Sequence, residues 1–178
     1  DDYIIVVNKS SGMLSVPGKE SYDSVQSILQ SLSDSDGFPV AAHRLDMSTS
    51  GLLVVAKDKR SLANLHRQFE SQSVKKRYVA ILDGVPTQSE GIVSLPLCLN
   101  IDNPPEQIVN HDYGKEAVTH YKVVSSSADS ARVEFYPITG RTHQLRLHCA
   151  YMGHPILGDP QYGSEESQRF SAILGLTY

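Results

Sequence analysis

Five strand-length runs, irregularly divided by helical patterns, constrain this chain more than any other feature. Residues 3–9 (YIIVVNK) form a β-rich apolar run ended by the turn signal SSG. Residues 51–57 (GLLVVAK) are continuously apolar and read as a strand buried on both faces. Residues 77–82 (RYVAIL) form a third run, stopped by Asp83-Gly84 and Pro86. Residues 118–124 (VTHYKVV) and 131–137 (ARVEFYP) read as paired strands across the polar connection 125–130. There Val133 and Phe135 alternate with Arg132 and Glu134, which puts one face in the core. Some strands are therefore adjacent and others are separated by helices. This predicts an α+β fold with a mixed sheet and excludes a regular βαβ winding.

Three helices are expected between the strands. Residues 23–32 carry Val25, Ile28, Leu29 and Leu32 on one stripe. Leu62, Leu65 and Phe69 repeat at helical spacing, with Asp58 or Ser61 as N-cap. Residues 142–152 read as a helix closed by Gly153 at the C′ position. Residues 33–39 read as loop, and the middle of the chain, with Pro96, Pro104 and Pro105, is loop-rich. Residues 154–163 (HPILGDPQYG) are turn chemistry around a short apolar pair.

The length, 178 residues, suits one domain over 1–178 with a sizeable core. No apolar run approaches the roughly 20 residues of a membrane helix. The first residues, DDYIIVVNK, lack the basic flank and cleavage site of a signal peptide, and lack Met. Cys98 and Cys149 have no CxxC spacing and read as reduced core residues of a cytoplasmic protein without a zinc site. No GxGxxG or P-loop follows a strand, so a nucleotide cofactor has no support.

A net charge of −4 taken alone argues against a nucleic-acid partner. Its distribution argues otherwise. Lys57, Lys59, Arg60, Arg67, Lys75, Lys76 and Arg77 fall in a stretch whose acids are Asp58 and Glu70. Such a run is either a solvated helix face or a phosphate-binding surface.

Three segments could carry chemistry. HRLDMSTSG (residues 43–51) sets His43, Arg44 and Asp46 just before a predicted strand, where a scaffold holds catalytic groups. Alternatively, Asp46 and its Ser/Thr neighbours only satisfy turn backbone. ITGRTHQLRLH (residues 138–148) gathers Arg141, His143, Arg146 and His148 near a helix N-terminus. Arginines there oppose the helix dipole and need a phosphate, a buried carboxylate or a surface salt-bridge network. KKRY (residues 75–78) puts the Tyr78 hydroxyl beside basic residues at a strand start, although strand tyrosines usually pack half-buried. His143, His148, His154 and Asp159 could be read as metal ligands. On a helix, however, His143 and His148 point about 140° apart, unlike an i, i+4 ligand pair. Taken together the segments hold one isolated acid, one tyrosine and paired arginines, without a Ser-His-Asp arrangement or paired carboxylates.

HRLDMSTSGLLVVAK, KKRYVAILDG and PITGRTHQLRLHCAYMGHPILGDPQYG resemble, in order, the signature blocks of the RluA family of pseudouridine synthases. YIIVVNKSSGMLSVPG resembles that family's opening strand and turn. The likeness is greatest to the small dual-specificity branch acting on 23S rRNA and on the tRNA anticodon stem-loop. It implies a single catalytic domain with a mixed, largely antiparallel bent sheet flanked by helices, no S4 domain and no cofactor or metal. A monomer with RNA as its partner is expected.

The resemblance also implies a catalytic set: Asp46 as the catalytic aspartate, Tyr78 against the uracil as general base, and Arg146 keeping Asp46 ionised and aimed. Arg44 would fill the space of a flipped base. His43, Arg141, His143, Lys75, Lys76 and Arg77 would touch RNA or order the site. Three departures stand out: Ser10 where the family has Pro, few basic residues in 105–109, and an end at GLTY before the family's final strand. The competing readings are a catalytically inactive RNA-binding or RNA-folding module and a metal-dependent hydrolase.

Overall fold

A computed structural model describes residues 1–18, 21–34 and 37–173. The chain divides into two compact units, the first Asp1–Val74 and the second from Lys75 onward, each with its own sheet.

The first unit holds β1 (Ile4–Lys9), α1 (Val25–Ser31), β2 (Val40–Ala41), β3 (Gly51–Ala56) and α2 (Lys59–Glu70). Its sheet has the order β1-β3-β2, both pairs antiparallel. The expectation that β3 is buried on both faces is overturned. Leu53 and Val55 are fully buried against Val25, but Leu52 between them and the strand start is 67% exposed. An antiparallel sheet can leave one face open, which continuous hydrophobicity does not reveal. α1 is shorter than expected. Ser24 is its N-cap, with Oγ accepting from Ser27 N–H at 3.1 Å, a contact worth about 1 kcal/mol. Asp58 rather than Ser61 caps α2. Its carboxylate accepts the Ser61 N–H at 2.9 Å and the Ser61 hydroxyl at 2.6 Å. The predicted loop at 33–39 falls partly on residues 35–36, outside the described residues.

The second unit holds β4 (Tyr78–Asp83), β5 (Glu90–Ser94), β6 (Leu97–Leu99), β7 (Gln107–Val109), β8 (Val118–Ser126), β9 (Ser130–Pro137), α3 (Gln144–Tyr151) and α4 (Glu165–Ile173). The four-stranded sheet runs β4-β9-β8-β5, and β6 pairs with β7. As expected, β8 and β9 pair, with Val123 opposite Val133 and Tyr121 opposite Phe135. Leu82, Tyr121, Ala131, Val133, Phe135 and Cys149 form the main core. Every pairing between these named strands is antiparallel, and among the described residues parallel geometry is confined to the isolated bridges Leu14–Ser24 and Gly84–Ser130.

Strands β5, β6 and β7 lie where the sequence reads as loop, and α4 follows the last predicted element. α3 begins two residues later than predicted because His143 is left-handed, with φ 54°. Gly153, with φ 79°, stands past the end of α3 as the C′ residue, as predicted. The reading of the GLTY end falls outside the described residues. No helix among the described residues is long and apolar enough to cross a membrane.

Candidate active site

The segment 43–50 leaves β2 and returns into β3 as a loop clamped almost entirely through its backbone. Ser15 Oγ donates to Leu45 O at 2.8 Å and accepts from Leu45 N–H at 2.9 Å. Gly12 N–H donates to Met47 O at 2.8 Å, and Ser11 Oγ to Ser48 O at 2.8 Å. Thr49 N–H closes a turn on Asp46 O at 3.0 Å. Leu45 is buried, whereas Arg44 is exposed and Asp46 half-buried. That alternation is what an extended segment gives, so Arg44 and Asp46 share a face. His43 anchors the loop from its other end. Its Nε2 accepts the Val54 N–H at 3.0 Å and its ring lies 4.9 Å from that of Phe69.

Lys9 is the residue that sequence reasoning missed. It ends β1 with only 1% exposure, and its ammonium donates to Ser10 O (2.9 Å), Met13 O (2.7 Å) and Met47 O (3.1 Å). Three carbonyls use all three donors of an ammonium. One of them belongs to the residue after Asp46, so Lys9 ties the 10–13 turn to the aspartate loop. Burial pulls its pKa below the ordinary lysine value, and the Asp46 carboxylate pulls it back up. The readable signal was a lysine directly before a small-residue turn.

In the second unit the KKRY segment splits by role. Lys75 is exposed. Lys76 turns inward and donates to Ile138 O at 3.0 Å and Thr139 O at 3.1 Å, with burial lowering its pKa. Arg77 pairs with Glu134, which also accepts from the Tyr136 hydroxyl. Tyr78 opens β4 and packs half-buried against the main core.

The motif GRTHQLRLH is organised by Gln144. Its Oε1 accepts from Thr139 Oγ1 at 2.8 Å and from Arg141 N–H at 2.9 Å. Its Nε2 donates to Val118 O at 3.1 Å and to Thr119 Oγ1 at 3.0 Å. These bonds fix the start of α3 against β8. Arg141 is exposed, its Nε donating to Glu116 O at 3.0 Å. His143 Nδ1 pairs with Tyr162 Oη at 2.9 Å.

Arg146 finds a buried carboxylate. Nε donates to Asp159 Oδ2 at 2.6 Å and Nη2 to Oδ1 at 2.9 Å. The guanidinium carbon also lies 4.9 Å from the centre of the Tyr162 ring. Of the residues that could be read as metal ligands, His148 packs against Thr119 and His154 Nδ1 meets Asp83 O at 3.1 Å. Among the described residues no three His, Cys, Asp or Glu side chains are grouped to hold a metal.

His148 is fully buried, with Nδ1 3.0 Å from Thr119 Oγ1. Its Nε2 makes no well-formed hydrogen bond among the described residues. Burial pushes its pKa from 6.5 down to about 4, weakly opposed by the Leu95 backbone. An unfolded chain therefore takes up a proton near pH 6.5 that the fold refuses until about 4. Stability present above the unfolded value is lost as the pH falls through this window, by up to about 3 kcal/mol. Urea unfolding between pH 7.5 and 4.5 should show this extra loss in the wild type and not in His148→Gln. Parallel losses in both proteins would show that another group is responsible.

These motifs are those of a known family. The model of the RNA pseudouridylate synthase family matches residues 3–151, which takes in the aspartate loop, KKRY and α3. The Dual-specificity RNA pseudouridine synthase RluA of Escherichia coli (strain K12) is 50% identical over 98% of this chain and 80% of its own length. The protein of that name from Yersinia pestis is 47% identical over 99% of this chain and 85% of its own. The solved structure of Human RNA Pseudouridylate Synthase Domain Containing 4 matches with a TM-score of 0.78 at 31% identity, covering 99% of this chain and 75% of that one. The match over residues 3–151 and the relatives at 50% and 47% identity agree, and the chain belongs to the RluA branch of the RNA pseudouridylate synthase family.

Proposed function

We propose that this protein isomerises specific uridines to pseudouridine in structured RNA, with 23S rRNA and the tRNA anticodon stem-loop as substrates. The observation carrying this reading is Asp46: a half-buried carboxylate on a loop whose geometry is fixed through its backbone. Isomerisation breaks the N1–C1′ bond, turns the uracil and joins C5 to C1′. The C5 proton must then leave. The reaction needs a carboxylate to attack or assist and a base for that proton, and no redox equivalent.

In this mechanism Asp46 is the catalytic carboxylate, Arg146 aims it, and Tyr78 takes the proton. Exposed Lys75 and Arg141 meet phosphates. His43, His143, Lys76 and Arg77 order the site, since each is bonded within its own unit. The proposed setting is the cytoplasm and the proposed state a monomer. Two free cysteines fit a reducing compartment. Mapping pseudouridines in total RNA with and without the gene tests the substrate assignment. Loss of sites in 23S rRNA and in tRNA anticodon stem-loops is expected, and an unchanged map contradicts it.

The uracil must leave its stack at a cost of a few kcal/mol, and a side chain that fills the vacated space offsets it. Arg44 is exposed on the face it shares with Asp46 and takes that role. Arg44→Ala should weaken binding to a stem-loop by about tenfold, and by less where the target uridine is already unstacked. Titration of both RNAs checks this; equal wild-type affinity for the two would exclude intercalation.

A further inference from the structure

We infer that Asp159 is a positioning residue for the reaction, acting by holding the Arg146 guanidinium in one orientation. The inference rests on the reading of Arg146 given above.

The dependence runs from backbone to Asp159 to Arg146. Asp159 Oδ1 accepts the N–H groups of Gln161 at 2.9 Å and Tyr162 at 3.0 Å, so the carboxylate is locked by its own turn. Gly163 N–H closes that turn on Asp159 O at 3.1 Å. A Cβ at Gly163 would stand 2.3 Å from that oxygen, so the turn admits glycine alone without rearrangement. The fixed carboxylate then takes Arg146 side-on through two bonds, and Gln161 Oε1 adds a third contact at 3.4 Å. The Tyr162 ring lies against the guanidinium. Tyr162 is itself fixed: its hydroxyl accepts Gln107 N–H at 2.8 Å and meets His143 Nδ1. Burial raises the Asp159 pKa, but Arg146 and the two N–H groups outweigh it, and the group stays ionised.

Stability alone does not account for this arrangement. The side chains are only 3% and 13% exposed, and a buried ion pair contributes little net stability relative to an apolar pair. The start of α3 is already anchored by Gln144 and Thr119. What two parallel bonds to a planar fork add is orientation. Misplacing a reacting group by about 1 Å can cost about a hundredfold in rate.

Single-turnover rate and RNA affinity on a short hairpin should be measured for wild type, Asp159→Asn, Asp159→Glu, Arg146→Met and the Asp159→Asn/Arg146→Met double variant, with thermal melting to verify folding. Asp159→Asn should slow turnover by about ten- to a hundredfold while affinity changes less than about threefold. Asp159→Glu keeps the charge but displaces the carboxylate, and should also slow turnover, by about fivefold or more. In the Arg146→Met background, Asp159→Asn should cause little further loss, because its effect passes through the arginine. Losses that multiply would overturn the inference, since a structural role acts independently of Arg146. So would wild-type turnover by folded Asp159→Asn and Asp159→Glu while Arg146→Met is slow. Wild-type turnover by Arg146→Met is a separate failure, which removes the role of Arg146 itself.

Discussion

Asp46→Ala and Asp46→Asn are expected to lower turnover at least about a hundredfold while RNA affinity changes little. Asp46 is the one acid in HRLDMSTSG, and PITGRTHQLRLH contains none. The bonds that hold the loop end on the backbone of residues 45 to 49, and the carboxylate is in none of them. Removing it should therefore leave the loop standing. The Lys9 ammonium keeps its three carbonyl acceptors in either variant. Tritium release from RNA carrying 5-³H-uridine measures the rate, and filter binding measures the affinity. Activity in Asp46→Ala above about one per cent of wild type would exclude a covalent or essential role for the carboxylate.

The second large effect is expected at Tyr78. Its ring packs against the main core at the start of β4, opposite Phe135 in the register. Tyr78→Phe preserves that packing and any stacking on the uracil, and removes only the hydroxyl. A lost general base costs about 10² to 10⁴ in rate. Single-turnover kinetics on a hairpin should show that loss with wild-type affinity. Turnover at the wild-type rate would show that the hydroxyl is not the base.

Where a feature depends on local sequence, it was legible. The α2 N-cap, which the sequence narrows to Asp58 or Ser61 and the fold places at Asp58, the Gly153 C′ residue and the β8–β9 pair each rest on residues close in sequence. The loop before β3 was legible as a break ahead of an apolar run, but its catalytic reading rests on the resemblance of HRLDMSTSG to a family motif, not on local pattern. Features set by tertiary context were not. Leu52 reads as core, but its side of β3 is open. Strand β5 was hidden because Ile92 is exposed and the run is short and polar at both ends. Lys9 reads as the polar end of a strand, and only the fold brings the Met47 carbonyl to it. The arginines of α3 visibly needed a partner. That the partner of Arg146 is Asp159, thirteen residues on in a turn, depends on chain geometry that no periodicity records.

Chemistry on a uridine and RNA binding alone differ in one observable, the release of the C5 hydrogen. The direct measurement is a single-turnover reaction of purified protein with an anticodon stem-loop transcript carrying 5-³H-uridine. Tritium release is expected with the RNA chain intact, one tritium for each pseudouridine formed, and it should be lost in Asp46→Ala. Tight binding of the same RNA with no tritium released would contradict the proposed isomerisation and leave an RNA-binding module in its place.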